Sequence, residues 1–247
     1  MTELVHLEVA EGVGTITLDS PANRNALSRQ LVTELMAAIE SVEQDPAARV
    51  VVLRSSERVF CSGADLSEAA EGAMEEGAQA LVEMQRRIIG SAKPYVCLLA
   101  GPVRAGGLGL VGSCDLVLCA EEVTFAFTES RLGLAPAVIS LSLLPRLTSR
   151  AAADVFLSGR TFTATEAAAM GLVTRVVPAA ELAGALRVVL EELGAAHPQG
   201  LAETKALLNT DLLAHLDQYA DQVVAQSVRL FGSDAAREAM LAFLSRK

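Results

Sequence analysis

The chain has 247 residues, with 20 Lys plus Arg against 30 Asp plus Glu and a formal net charge of −10. It is 51% apolar, with seven Phe, two Tyr and no Trp, so its core is expected to be built from Ala, Val and Leu. The length suffices for a core that needs no disulfide or metal staple. The acidic balance, without a basic run, excludes a nucleic-acid or anionic-membrane surface.

In chain order, Val5, Leu7 and Val9, then Val13, Ile16 and Leu18, alternate around Glu11-Gly12 and predict a β-hairpin. Ser28 is placed as the N-cap of a helix whose apolar stripe is Leu31, Leu35, Ile39 and Val42, ended by Asp45-Pro46. A short buried strand is predicted at 50–53, a loop of small and polar residues at 55–66, and a helix running to about Ile89. Pro94 opens a strand at 95–99. A glycine-rich loop and short helix follow at 101–113, then a strand at 116–119 and a further short strand at 123–127. Beyond Pro145 the pattern is mainly helical. It includes a helix at 163–170 ended by Gly171, a strand at 173–177, and helices from Ala180 broken at His197-Pro198 and Phe231-Gly232. The reading is an α/β core over residues 1–190 and a C-terminal helical region over 191–247, with no linker between them.

Glu3 and Glu8 stand where a secretory signal carries Lys or Arg, and no stretch approaches the roughly 18 uninterrupted apolar residues of a membrane span. Cys61, Cys97, Cys114 and Cys119 form no CxxC pair and read as buried free thiols in a reducing compartment. A cytoplasmic location is therefore expected. His6, His197 and His215 are scattered and predict no metal site.

Gly107-Leu108-Gly109-Leu110-Val111-Gly112 spells GxGxxG, but mid-chain and ahead of a helix of only about two turns. A dinucleotide fold needs that motif to close the first strand of a full βαβ unit. The glycines are read instead as allowing close helix packing. No GxSxG elbow and no P-loop is present. Two loops rich in small residues remain, Phe60-Cys61-Ser62-Gly63-Ala64-Asp65-Leu66 and Gly101-Pro102-Val103-Arg104-Ala105-Gly106-Gly107. Small residues let a ligand approach the backbone. Two amides meeting on one oxygen would make an oxyanion hole, although spacing alone equally describes two tight loops.

These loops resemble the crotonase superfamily, the enoyl-CoA hydratases and isomerases. The resemblance extends to Pro21-Ala22-Asn23-Arg24-Asn25-Ala26-Leu27, to 125–136, to Leu157-Ser158-Gly159-Arg160-Thr161-Phe162, to Gly171-Leu172-Val173 and to the closing segment 233–243. It implies a crotonase-like α/β fold of repeated ββα units. It also implies a homotrimer or homohexamer whose C-terminal helices serve trimerisation and cover the CoA, and an acyl-CoA substrate whose coenzyme A is not a separate cofactor. Carried over residue by residue, the oxyanion donors match Ala64 and Gly106, and a catalytic carboxylate matches Glu129. A second acid found in some family hydratases would fall at Gly109 and is absent.

The resemblance places substrate and CoA contacts at Arg24, Ala26, Ser62, Asp65, Leu66, Gly109, Thr128, Arg131, Leu132 and Gly133, with Arg246 and Lys247 near a C-terminal basic region. Arg131 either pairs with an acidic acyl group or positions its loop. Pro136-Ala137-Val138 departs from the glycine-rich run common after this proline. The implied reaction is hydration of a 2-enoyl-CoA. The alternatives are a Δ3-Δ2 isomerase using one glutamate, a thioester hydrolase, and a non-catalytic protein that kept the fold. The shortage of aromatics predicts an adenine held by backbone and aliphatic contacts more than by ring stacking.

Overall fold

The computed structural model describes residues 2–56, 58–68 and 73–244. Arg246 and Lys247 lie outside the described residues. Strands β1 (Val5–Ala10) and β2 (Val13–Leu18) form the expected antiparallel hairpin. Its two-residue turn, Glu11-Gly12, has both residues at positive φ, the hand that matches strand twist. Helix α1 (Arg29–Gln44) starts where the Ser28 hydroxyl accepts from the Leu31 N–H at 3.3 Å. It buries Leu31, Leu35, Ala38, Ile39 and Val42. Strand β3 (Val50–Ser55) then pairs parallel with β2. Its first four residues are buried, as a strand covered on both faces requires.

The remaining elements are α2 (Ala73–Gly90), β4 (Tyr95–Leu99), β5 (Val103–Arg104), α3 (Gly107–Ser113), β6 (Leu116–Ala120), β7 (Thr124–Ala126), α4 (Ala137–Leu143), α5 (Ser149–Ser158), β8 (Thr161–Thr163), α6 (Ala164–Ala169), β9 (Arg175–Val177), α7 (Leu182–Ala195), α8 (Pro198–Phe231) and α9 (Asp234–Leu244). The main sheet has the order β1-β2-β3-β4-β6-β9 and is parallel from β2 onward. A smaller sheet, β5-β7-β8, stands beside it.

Helix α4 is not foreseen by periodicity. Nearly all of Ala-Val-Ile-Ser-Leu-Ser-Leu is buried, so the segment has no polar face to reveal a helical repeat. The core of the main sheet is aliphatic as expected, but phenylalanine is concentrated under the small sheet. The Phe127 ring lies 4.3 Å from Phe156 and 5.7 Å from Phe162, and Phe162 stacks on Phe125 at 5.5 Å. All four cysteines are free and buried, and burial pushes the Cys61 thiol up to about 12.

The glycines of the GxGxxG stretch do what packing requires. A β-carbon on Gly107 would lie 2.6 Å from Cys61 Cβ, one on Gly109 would lie 2.8 Å from Ile139 Cγ2, and one on Gly112 would lie 2.8 Å from Leu143 Cδ2. Helix α3 is thereby pressed directly against α4 and the 60–66 loop.

The division expected between 190 and 191 falls inside α7. The hydrophobic core runs unbroken across it, because Leu212, Leu216, Ala220 and Val223 of α8 join the sheet residues in one cluster. Helix α8 is fastened by Lys205, which is only 5% exposed. Its Nζ donates to the carbonyls of Ile88 and Lys93 and to Asp115 Oδ2, each at 2.8 Å. Asn209 adds bonds to Ile89 O at 3.0 Å and to Asp115 Oδ1 at 3.3 Å. Among the described residues no helix is long and apolar enough to cross a membrane, and no group of three His, Cys, Asp or Glu is placed to hold a metal.

Candidate active site

A cavity of about 880 Å³ opens between the two small-residue loops, α1, α2, α4 and the C-terminal helices. The first loop is held by its neighbours' backbone. Phe60 N donates to Pro102 O at 3.0 Å, and Arg104 N donates to Cys61 O at 2.9 Å. Ser62 N donates to Arg24 O at 3.2 Å, and Leu27 N donates to Gly63 O at 2.8 Å. Ser62 Oγ donates to Asn23 O at 3.1 Å, and Asn23 Nδ2 donates to Asp65 Oδ2 at 3.0 Å. The second loop is tied to the small sheet through Ala105 N, which donates to Ala126 O at 3.1 Å.

The loops touch at Gly63, where φ is +97° and a β-carbon would fall 2.9 Å from Ala105 Cβ. Glycine is therefore required there both by conformation and by space. This contact sets Ala64 and Gly106 side by side on the cavity wall. A β-carbon on Gly106 would stand 3.7 Å from Ala64 N. Neither the Ala64 nor the Gly106 N–H donates to an acceptor among the described residues. Two unclaimed donors this close can receive one anionic oxygen.

Glu129 opens a 3-10 turn, Glu129–Leu132, that closes on Gly133 at φ +70°. The Glu129 Oε2 is shut off from solvent and accepts no hydrogen bond. Burial pushes its pKa up to about 7, opposed only by a backbone hydrogen bond within the residue. The other carboxylates on the wall are engaged. Asp65 accepts from Asn23 and Ser67, Glu68 accepts from the Arg29 N–H at 2.7 Å, and Glu76 pairs with the Arg29 guanidinium at 3.7 Å.

Of the residues expected from the sequence, Ala64, Gly106, Glu129, Ser62, Asp65, Leu66, Thr128, Arg131 and Leu132 all lie on this wall. Arg24, Ala26, Gly109 and Gly133 do not. Arg24 takes a left-handed conformation, φ +58°, and supports the first loop through its carbonyl. Ala26 is buried in the turn before α1. Gly109 is packed behind Ile139, and it is Ile139 that faces the cavity. Gly133 allows α9 to approach, since a β-carbon there would meet the Ala235–Ala236 backbone at 3.1 Å.

Sequence reasoning missed the apolar walls from Leu27, Val32 and Leu81, and it expected a C-terminal helical cover without naming Phe231 and Ala239, which line the cavity. Val32 and Leu81 sit on amphipathic helices, whose periodicity marks a face without saying what it faces. For Phe231 and Ala239 there was no local signal, because α8 and α9 return to the site from the far end of the chain.

The family profile described as enoyl-CoA hydratase/isomerase matches residues 8–247. The crystal structure of an enoyl-CoA hydratase from Mycobacterium avium superposes with a TM-score of 0.93 at 42% identity, over 100% of this chain and 98% of that one. The hydroxycinnamoyl-CoA hydratase-lyase of Pseudomonas fluorescens is 33% identical over 188 residues, 72% of this chain and 68% of that protein. A 4-chlorobenzoyl coenzyme A dehalogenase of an Arthrobacter species is 32% identical over 214 residues, 81% of this chain and 76% of that protein.

Proposed function

The chain belongs to the enoyl-CoA hydratase/isomerase family, with its crotonase fold, and we propose that it catalyses the reversible addition of water to a 2-enoyl-CoA. The thioester oxygen is received by the Ala64 and Gly106 N–H groups. As water attacks the β-carbon, the Glu129 carboxylate takes one of its protons. Charge moves through the conjugated system onto the thioester oxygen, where the two donors stabilise the enolate. Glu129 then returns the proton to the α-carbon from the same face, so water is added syn and the carboxylate is regenerated. A pKa of about 7 suits a group that must both accept and give a proton near neutrality.

The observation that carries this reading is the enclosed, unpartnered Glu129 oxygen in the same cavity as two unclaimed N–H donors. A second reading, double-bond isomerisation, is favoured by the packing of Gly109. The space above that residue is filled by Ile139, so no second acid can be presented from there without displacing that side chain. One carboxylate could move a proton between two carbons without any water. Incubation with a panel of 2-enoyl- and 3-enoyl-CoA thioesters, followed by mass analysis, separates the outcomes. Gain of one water supports hydration, an unchanged mass with a shifted double bond supports isomerisation, and release of free CoA overturns both.

Gly106→Ala tests the oxyanion donors. Its φ of −50° suits alanine, and the side chain nearest the new methyl is the flexible end of Leu27 at 3.0 Å, so the fold should persist. The methyl would stand 3.7 Å from Ala64 N, in the space meant for the thioester oxygen. The expected result is a loss of kcat/KM of about 10²–10³, the usual cost of disabling one such donor.

A further inference from the structure

Arg131 lies two residues beyond Glu129 in the same turn, and its side chain leaves the turn toward the end of α5. Its Nε donates to Ser158 O, the last carbonyl of α5, at 3.0 Å. Its stem crosses Gly159, where a β-carbon would meet Arg131 Cγ at 3.0 Å, Arg131 Nε at 3.1 Å and Phe127 O at 3.0 Å. Gly159 is at φ +58°, so it is bare for its conformation and for the space the arginine takes. No ion pair holds Arg131 among the described residues. Of the carboxylates on neighbouring elements, Asp154 and Glu166 pair with Arg160 and Asp234 with Arg237, and none, Glu238 on the closing helix included, pairs with Arg131. The end of α5 is a firm support, because Phe156 packs against Phe127 in the ring cluster.

We propose that Arg131 is a positioning residue: clasped over Gly159, it fixes the Glu129–Leu132 turn to the end of α5 and so sets where the Glu129 carboxyl stands in the cavity. The inference rests on Glu129 being the proton-transferring group. Releasing the clasp lets the turn shift, and a displacement of about 1 Å can cost on the order of 10² in rate. It also lets water reach Oε2, which lowers the pKa of Glu129 toward the ordinary carboxylate range. The charged groups on the elements packed against the turn are Arg150 and Asp154 on α5 and Asp234, Arg237 and Glu238 on α9. None contributes to the present shift of Glu129, which comes from burial.

Two substitutions divide the possibilities, and both are at an exposed side chain, so the fold is retained. Arg131→Met keeps the stem and removes the Nε donor. Arg131→Lys keeps the charge but has no donor at that point along the side chain. With a turned-over 2-enoyl-CoA, both are expected to lower kcat about tenfold or more while KM stays within about twofold. In both, the acid limb of the kcat–pH profile moves to lower pH from its position near 7.

If Arg131→Lys behaves as wild type and Arg131→Met raises KM, the arginine binds an anionic group of the ligand and the proposal is wrong. A fall in kcat with an unmoved pH limb marks general loosening and also overturns it. Glu129→Gln is assayed alongside. If that variant is inactive while both Arg131 variants match wild type, only this inference fails; if Glu129→Gln stays active, the assignment of Glu129 fails first and this inference with it.

Discussion

Glu129→Gln is expected to abolish most turnover, by about 10²–10⁴ in kcat, the range over which a positioned general acid–base contributes. The amide fills the same space as the carboxyl, so the loss reports proton transfer and not a collapsed cavity. KM for a 2-enoyl-CoA should change little, since the proposed mechanism assigns the thioester oxygen to Ala64 and Gly106. The same substitution has an opposite effect on stability. The folded-state pKa of Glu129, about 7, lies above the ordinary glutamate value of 4.5 expected in the unfolded chain. Between those two values the folded protein holds more proton than the unfolded one, so wild-type stability falls as pH rises through that window.

Glutamine imitates the protonated carboxyl and does not ionise. The variant should therefore match wild type near pH 4 and exceed it above pH 7, by something on the order of 2 kcal/mol. Urea unfolding at the two pH values measures the difference. A variant that is less stable than wild type at high pH would mean that the ionised carboxylate is welcomed in the fold, and the argument from burial would fail.

Lys205→Met should produce the largest loss of stability. The ammonium is buried, and desolvation lowers its pKa while Asp115 acts to raise it. Removing it takes away the ammonium that pairs with the Asp115 carboxylate, which keeps only the neutral donors Tyr95 N–H and Asn209 Nδ2, and it strands two backbone carbonyls. Breaking one side of a buried ion pair costs about 3–5 kcal/mol, a large share of the total stability of a typical domain. Lys205→Met/Asp115→Asn should lose less, because no charge is left alone, although the Ile88 and Lys93 carbonyls remain without their donor. Arg187→Ala provides the contrast. Its i,i+4 pair with Glu191 is exposed on both sides, and its loss should cost below about 1 kcal/mol. Helix α8 also carries Ser227 and Phe231 to the cavity wall, so the Lys205 variant should weaken substrate binding in parallel with stability.

Much of the architecture was legible along the chain. The hairpin, the Ser28 cap, the buried strand at 50–53 and the breaks at His197-Pro198 and Phe231-Gly232 are all encoded by neighbours within a few residues, and local periodicity reports neighbours. Helix α4 escaped because a segment buried on every side shows no period. The crotonase resemblance pointed to Ala64, Gly106 and Glu129, which the fold brings to one cavity wall. It also suggested Gly109 and Gly133 as contacts, and there the chain's own packing intervenes. Gly109 makes room for Ile139, and Gly133 makes room for α9.

The sequence by itself determined most of the elements and their order and carried the family resemblance, and through that resemblance it pointed to the candidate donors and carboxylate. Tertiary structure alone decided that Gly63 brings two loops into contact, that Ala64 and Gly106 consequently stand together, and that one oxygen of Glu129 is enclosed with no partner. It also decided which residues of the C-terminal helices, Phe231 and Ala239 among them, reach the cavity. The reason is physical. Pairing of amides and desolvation of a carboxyl depend on atoms tens to hundreds of residues away, whose approach is governed by the packing of the whole core and leaves no trace in the residues beside them.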